Sequence, residues 1–223
     1  MTEHPEIPSF RALRGYIRED YAAHARALWA PGFQAVALYR FGVWAYGIRT
    51  KALGMPLRVL YRLLNLGVRN LYGIELPVWT RVGRRLTIAH QHGIVIHKDA
   101  VIGDDCLIRH GVTIGALRPG RGTLPPTLGD RVEVGVGAVL VGPIRIGDDV
   151  VIGPNAVVMT NVPAGSIVAS PQSRIVTPPP RKAAPQTQTP QSQAEAPMPP
   201  PATVSDAAAP PDEPARPRAR ATG

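Results

Sequence analysis

Between Val82 and Val162 an aliphatic residue returns at every sixth position, usually with glycine after it. The register runs Val82, Ile88, Ile94, then Ile102, Ile108, Ile114, then Leu128, Val134, Leu140, Ile146, Ile152 and Val158. A period of six fits neither an α-helix nor a hairpin ladder; it is the signature of a parallel β-helix. Each hexad supplies a short strand and a corner, and the aliphatic residue faces the interior of a triangular prism. Small or apolar residues four places on (Cys106, Val112, Val132, Ala138, Val150 and Ala156) suit the same interior. Glycine fits the bends, where a Cβ would crowd the chain. Asp104-Asp105, Asp130-Arg131 and Asp148-Asp149 read as polar corners.

The register breaks twice. The step from Ile94 to Ile102 is eight, so two extra residues are expected between them. The step from Ile114 to Leu128 is fourteen, which sends about eight residues, within the segment 116–126, out of the prism as a loop. His92, four past Ile88, is expected to face inward.

Upstream the period changes to that of helices. Residues 9–29 place Phe10, Leu13, Ile17 and Tyr21 at helical spacing, and 33–50 read as a second, largely apolar helix. Gly54 and Pro56 are expected to separate this from a third helix over about 57–72, with Arg58, Arg62 and Arg69 opposite Leu60, Leu64 and Leu71. Such a segment reads first as a cap on the first coil or on another subunit, and second as a basic amphipathic helix that contacts a membrane surface. From Thr177 the composition collapses: the last 47 residues hold 13 of the 25 prolines and lack large apolar side chains. The expected organisation is a helical segment 1–72, a β-helix 73–176 and a disordered Pro/Ala-rich tail 177–223.

Composition narrows the chemistry. No apolar run reaches the eighteen or so residues of a membrane span, and no signal peptide is read at the start. The single cysteine, Cys106, sits at an inward position, as a core residue rather than a ligand or nucleophile. A cytoplasmic location is the natural expectation. Of the formal net charge of +9, residues 1–74 contribute 10 basic against 4 acidic side chains. That excess is too dispersed to argue for nucleic acid.

Four of the six histidines, His90, His92, His97 and His110, lie between residues 90 and 110. His90 and His110 each follow a register residue by two, so they fall at equivalent places on stacked coils. No Cys/His spacing suggests a metal. An imidazole oriented by a carboxylate is the simplest group that removes a proton from an alcohol near neutral pH. Glu75 upstream and Asp99 downstream are the nearest acids.

Several stretches carry a resemblance: Gly32–Trp44, Gly73–Pro77, Leu86–Ile96, Gly111–Gly115, Asn155–Pro163 and Ser173–Val176. Together they resemble bacterial serine O-acetyltransferases of the hexapeptide-repeat acyltransferase family, most of all the short branch associated with surface-polysaccharide genes. The resemblance implies a left-handed β-helix, a homotrimer that could pair into a dimer of trimers, and acetyl-CoA as co-substrate without a metal. It implies His90 as the catalytic base and Glu75 as its carboxylate partner. Gly115, Ala116, Gly135 and Val136 would line the coenzyme groove, with Arg118 and Arg121 of the loop near its phosphates. The implied acceptor is L-serine, with a polysaccharide sugar hydroxyl as the alternative. The pattern departs from the family at Ala89, where the family has Asp, and at Leu124-Pro125-Pro126, where it has Arg-His-Pro. These departures motivate a third reading, a non-catalytic scaffold that recruits partners through its tail.

Overall fold

The computed structural model describes residues 6–117 and 124–171, all within one compact unit, Met1–Arg174. The expected tail 177–223, the resembling segment 173–176, and Arg118 and Arg121 lie outside the described residues. Three α-helices come first: α1 (Phe10–Ala23), α2 (Pro31–Gly47) and α3 (Lys51–Gly67), the last running on into a π-helical turn, Val68–Tyr72. Among the described residues fourteen short strands follow, from β1 (Ile74–Glu75) to β14 (Ile167–Val168). They form three parallel sheets: β1, β4 (Ile94–Ile96), β7 (Thr113–Gly115), β10 (Val139–Val141) and β13 (Val157–Val158) in one; β2 (Arg81–Val82), β5 (Val101–Ile102), β8 (Thr127–Leu128) and β11 (Arg145–Ile146) in the next; β3 (Thr87–Ala89), β6 (Leu107–Arg109), β9 (Glu133–Val134), β12 (Val151–Ile152) and β14 in the third. Up to β13 each strand pairs with the third one after it, which is the connectivity of a three-sided parallel β-helix; at the end β14 pairs with β12, because Val162 between them makes only an isolated bridge to Ile146.

From Ile88 to Val158 every register aliphatic is buried, as are all six of the small residues expected inside. Val82, on the first coil, is half-buried. Two corner columns hold the coils in register. In one, the Asp104 carboxylate accepts from the Arg84 N–H (2.7 Å), Asp130 from Asp104 (2.7 Å) and Asp148 from Asp130 (2.9 Å). In the next, Arg85, Asp105, Arg131 and Asp149 all adopt left-handed backbone (φ 55° to 59°) and alternate in sign. Arg85 grips Asp105, and Arg131 grips Asp149, each through two nitrogens. These guanidinium partners hold both carboxyls below the usual range, although their exposure keeps each pair's stabilising effect small.

The register differs from expectation in one place. Ile96, not Ile94, pairs with Ile114, and Ile94 stacks on Ile74. Because Ile88 still pairs with Ile108, the extra residues belong to the corner 90–93, before Ile94 rather than after it. Two isoleucines of identical spacing, 94 and 96, made both registers look equal. Ile94 takes the inward place expected of His92, and His92 is exposed.

The helices cap the first coil. β2 (Arg81–Val82) and β3 (Thr87–Ala89) are edge strands with no coil beneath them. The Tyr39 hydroxyl of α2 donates to the Thr80 carbonyl, and Arg40 donates to the carbonyls of Val82 (2.9 Å) and Gly83. Arg40 also pairs with Asp20 of α1 (2.9 Å), with both side chains fully buried. Burial raises the Asp20 carboxyl, and the Arg40 guanidinium opposes the rise. His24 accepts the Ile88 N–H at Nε2 (3.1 Å), so its proton sits on Nδ1, which donates to the Asp20 carbonyl (2.7 Å). At Gly32 the backbone of α2 lies against the Ile88 carbonyl, where a Cβ would come within 2.0 Å.

Helix α2 is shifted by two to three residues from the expected 33–50, and two other boundaries depart further from the sequence reading. Helix α1 ends at Ala23, not 29, and the chain reverses through Ala25 and Arg26 at φ 52° and 59°. That conformation costs roughly 1–2 kcal/mol per residue, and it is where His24 turns to bond Ile88. Helix α3 starts at Lys51, with Pro56 inside it. Proline forfeits one N–H bond, to Ala52, whose position is exposed and open to water.

Arg40→Met strands a buried carboxylate and two rim carbonyls. It should lower unfolding free energy by about 3–5 kcal/mol in urea denaturation, and adding Asp20→Asn should recover part of the loss.

Candidate functional site

His90, His110 and Val136 gather at one edge of the prism, where the β3 sheet turns into the β1 sheet. His90 follows β3, and His110 follows β6 (Leu107–Arg109), its neighbour in that sheet. Their rings stand edge-on, with centroids 5.7 Å apart. Val136 extends the column by another coil: the His110 carbonyl accepts from Gly137 N–H (3.0 Å), as the Val136 carbonyl accepts from Asn155 N–H (2.7 Å).

The backbone explains this placement. Gly73, Gly93, Gly111, Gly137 and Asn155 each turn the corner with positive φ (55° to 73°). A Cβ on Gly93 would come within 3.2 Å of the Gly111 Cα, so the stacked turns depend on glycine there. The coil that holds the extra residues adds two more left-handed residues, His90 (φ 69°) and His92 (φ 77°). Such backbone in a non-glycine residue costs about 1–3 kcal/mol and tends to persist where function requires it. His90 is exposed. His110 is half-buried, and among the described residues its Nδ1 has no hydrogen-bond partner and is shielded from solvent. An exposed imidazole beside a second, half-buried one suits proton transfer near neutral pH.

The carboxylates are placed differently from one another. Glu75 lies on β1, exposed, paired in register with Val95 of β4 (Ile94–Ile96). It therefore sits on the face that begins at the histidine corner, but among the described residues no hydrogen bond or ion pair joins it to His90. Asp99 serves His97 instead: its N–H donates to His97 Nδ1 (3.2 Å), and its carboxylate lies 3.7 Å from that nitrogen. Of the groove residues, Gly135 is buried and Val136 half-buried at the histidine corner. Gly115 ends β7 (Thr113–Gly115), and Ala116 follows it, so both sit at the far end of the same face. Leu124 is exposed, and Pro125 and Pro126 are buried against the prism. Among the described residues no group of three or more His, Cys, Asp or Glu is placed to hold a metal ion.

Arg109 is the functional candidate that sequence reasoning missed. It pairs in register with Ala89, directly before His110. Continuing the Ile108–Val134 register by one residue puts Gly135 on its other side. Arg109 therefore precedes the histidine corner on the β3 side, next to Gly135, one of the residues expected to line the coenzyme groove. The signal was available: once Ala89 and Arg109 are seen as coil neighbours, the acid missing at 89 and the cation at 109 occupy adjacent outward positions.

Cys106 is fully buried and donates to the Gly129 carbonyl (3.2 Å), and burial pushes its thiol up to about 11. It should resist thiol reagents at pH 8 in the folded protein and react only after unfolding. Rapid native labelling would contradict this placement.

The model for bacterial transferase hexapeptide (six repeats) matches residues 125–159. Over 169 residues the chain is 38% identical to serine acetyltransferase of Helicobacter pylori, covering 74% of this chain and 95% of that protein. It is also 38% identical over 120 residues to the putative colanic acid biosynthesis acetyltransferase WcaB of Escherichia coli, covering 54% of this chain and 72% of that one. The fold is similar to the crystal structure of serine acetyltransferase isoform 3 from Entamoeba histolytica in complex with cysteine, with TM-score 0.62 and 26% identity. That match covers 76% of this chain and 62% of the solved one, so the chain spans less than two thirds of that enzyme.

Proposed function

Since the chain belongs to the serine acetyltransferase family, we propose that it transfers the acetyl group of acetyl-CoA to the hydroxyl of L-serine at the His90 corner. The observation that carries this reading is the exposed His90 imidazole, on a left-handed turn beside the His110 ring. In it, His90 takes the hydroxyl proton as the serine oxygen attacks the thioester carbonyl. The tetrahedral intermediate collapses with cleavage of the C–S bond. The imidazolium returns the proton to the departing thiolate, which leaves O-acetyl-L-serine and CoA. Glu75 supports the imidazolium from the adjoining face. Gly115, Ala116, Gly135 and Val136 line the coenzyme groove, and Arg118 and Arg121 of the loop meet its phosphates.

Arg109 supplies the cation that a serine carboxylate needs, in place of the arginine missing where Leu124-Pro125-Pro126 stands. The working unit in this reading is a homotrimer in the cytoplasm. The exposed Val95 and Val157, on the outer face of the β1 sheet, suit a subunit contact there. Residues 1–72 act as the cap, 73–176 as the catalytic body and 177–223 as a spacer.

A second acceptor, a sugar hydroxyl of a surface polysaccharide, is favoured by the similarity to WcaB and by the apolar Leu124-Pro125-Pro126. An acceptor screen that follows free CoA separates the two, since only one acceptor should raise release far above hydrolysis.

His90→Ala should lower kcat/KM by about a hundred- to ten-thousandfold. Unchanged turnover would remove the assignment. Arg109→Gln should raise KM for L-serine roughly tenfold or more while leaving that for acetyl-CoA in place. An unaltered serine KM would assign the carboxylate to another group.

A further inference from the structure

Among the described residues the most conspicuous unpartnered surface is the outer face of α3. This helix meets α2 through a narrow side. Gly54 and Tyr61 are buried there, and the Tyr61 ring lies on Gly42, where a Cβ would come within 2.4 Å. Arg58 donates to the carbonyls of Ala45, Tyr46 and Ile48 at the end of α2, and Arg62 to the Tyr46 hydroxyl. Arginines thus fasten α3 inward, and its leucines are left outside.

At about 100° per residue, the half of the helix opposite Gly54 and Tyr61 runs from Leu53 at one edge to Arg62 at the other, and between those edges it holds no charged or hydrogen-bonding side chain. Leu53, Met55, Val59, Leu60, Leu63 and Leu66 are all exposed, Met55 by 63% and Leu63 by 65%. Leu71 in the π-helical turn, 73% exposed, extends the strip. A soluble surface rarely leaves so continuous an apolar face uncovered.

Charge identifies the occupant. Between Asp20 and Glu75 the sequence has no acidic residue, whereas it has Arg26, Arg40, Arg49, Lys51, Arg58, Arg62 and Arg69. Lys51, Arg62 and Arg69 are exposed. A second copy of α3 would bring like charges together with no carboxylate on this segment to offset them. An anionic lipid surface offers both halves of what the helix presents: acyl chains for the leucines and phosphates for the flanking cations. No helix among the described residues is long and apolar enough to cross a membrane, so the contact runs along the surface.

We propose that the outer face of α3 docks the protein on anionic membranes, lying at the boundary of headgroups and acyl chains. The proposal is independent of which hydroxyl receives the acetyl group.

Flotation of the full chain with phosphatidylcholine vesicles, with and without phosphatidylglycerol, tests it. The protein should float with the anionic vesicles and far less with the neutral ones, and rising salt should release it. Val59→Asp with Leu63→Asp should weaken binding roughly tenfold or more. Lys51→Gln with Arg69→Gln, which leaves the apolar face untouched, should weaken binding to anionic vesicles about tenfold. Circular dichroism and light scattering accompany each variant. Failure of the unsubstituted chain to float, or equal flotation of the aspartate variant, overturns the proposal. So does a change of molar mass on the aspartate substitutions, because the face would then join two copies of the chain. Should the aspartates unfold the protein, the charge variant decides alone, and undiminished binding by it overturns the proposal.

Discussion

A parallel β-helix has an open rim: the first coil has no coil beneath it, so its outward-pointing peptide groups lack partners. Leaving such a group buried and unpaired costs about 1–3 kcal/mol. In this chain the helical segment meets the rim one group at a time. Tyr39 and Arg40 satisfy three carbonyls, at residues 80, 82 and 83, and His24 satisfies the Ile88 N–H. Asp20 makes the buried arginine tolerable, and Gly32 lets the helix backbone come close enough for the bonds to form. The same rim leads, two residues past Ile88, to His90. The cap is therefore also the foundation of the corner where chemistry is proposed.

What the sequence made legible follows from the physics of repetition. A six-residue period is imposed by every coil on every other, so strands, corners and interior positions could be read from spacing alone. The histidine stack could be read for the same reason, because His90 and His110 follow equivalent isoleucines. The exact place of the inserted residues could not. Ile94 and Ile96 both satisfy the interior, and only the pairing of Ile96 with Ile114 separates them. That choice decides that His92 is exposed and that the extra residues enlarge the histidine corner.

The helices were legible as elements and less so at their ends. Alanines after residue 21 favour a longer α1, but the bond from His24 to the rim ends it, a tertiary contact that outweighs local propensity. Pro56 suggested a break and instead sits within α3, because the position losing its bond faces water. Arg109 escaped notice because its meaning is relational. Only the stacking of coils brings it beside Ala89 and toward Gly135, and no spacing within a single coil announces it.

In the proposed reaction, thioester and acceptor meet at the corner held above the capped rim. A crystal structure of the full chain with CoA tests it most directly. The coenzyme sulfur should lie within about 3–4 Å of the His90 imidazole, with the pantetheine arm running along the face between Val136 and Gly115. A sulfur lodged away from residue 90, with that corner empty, would contradict it.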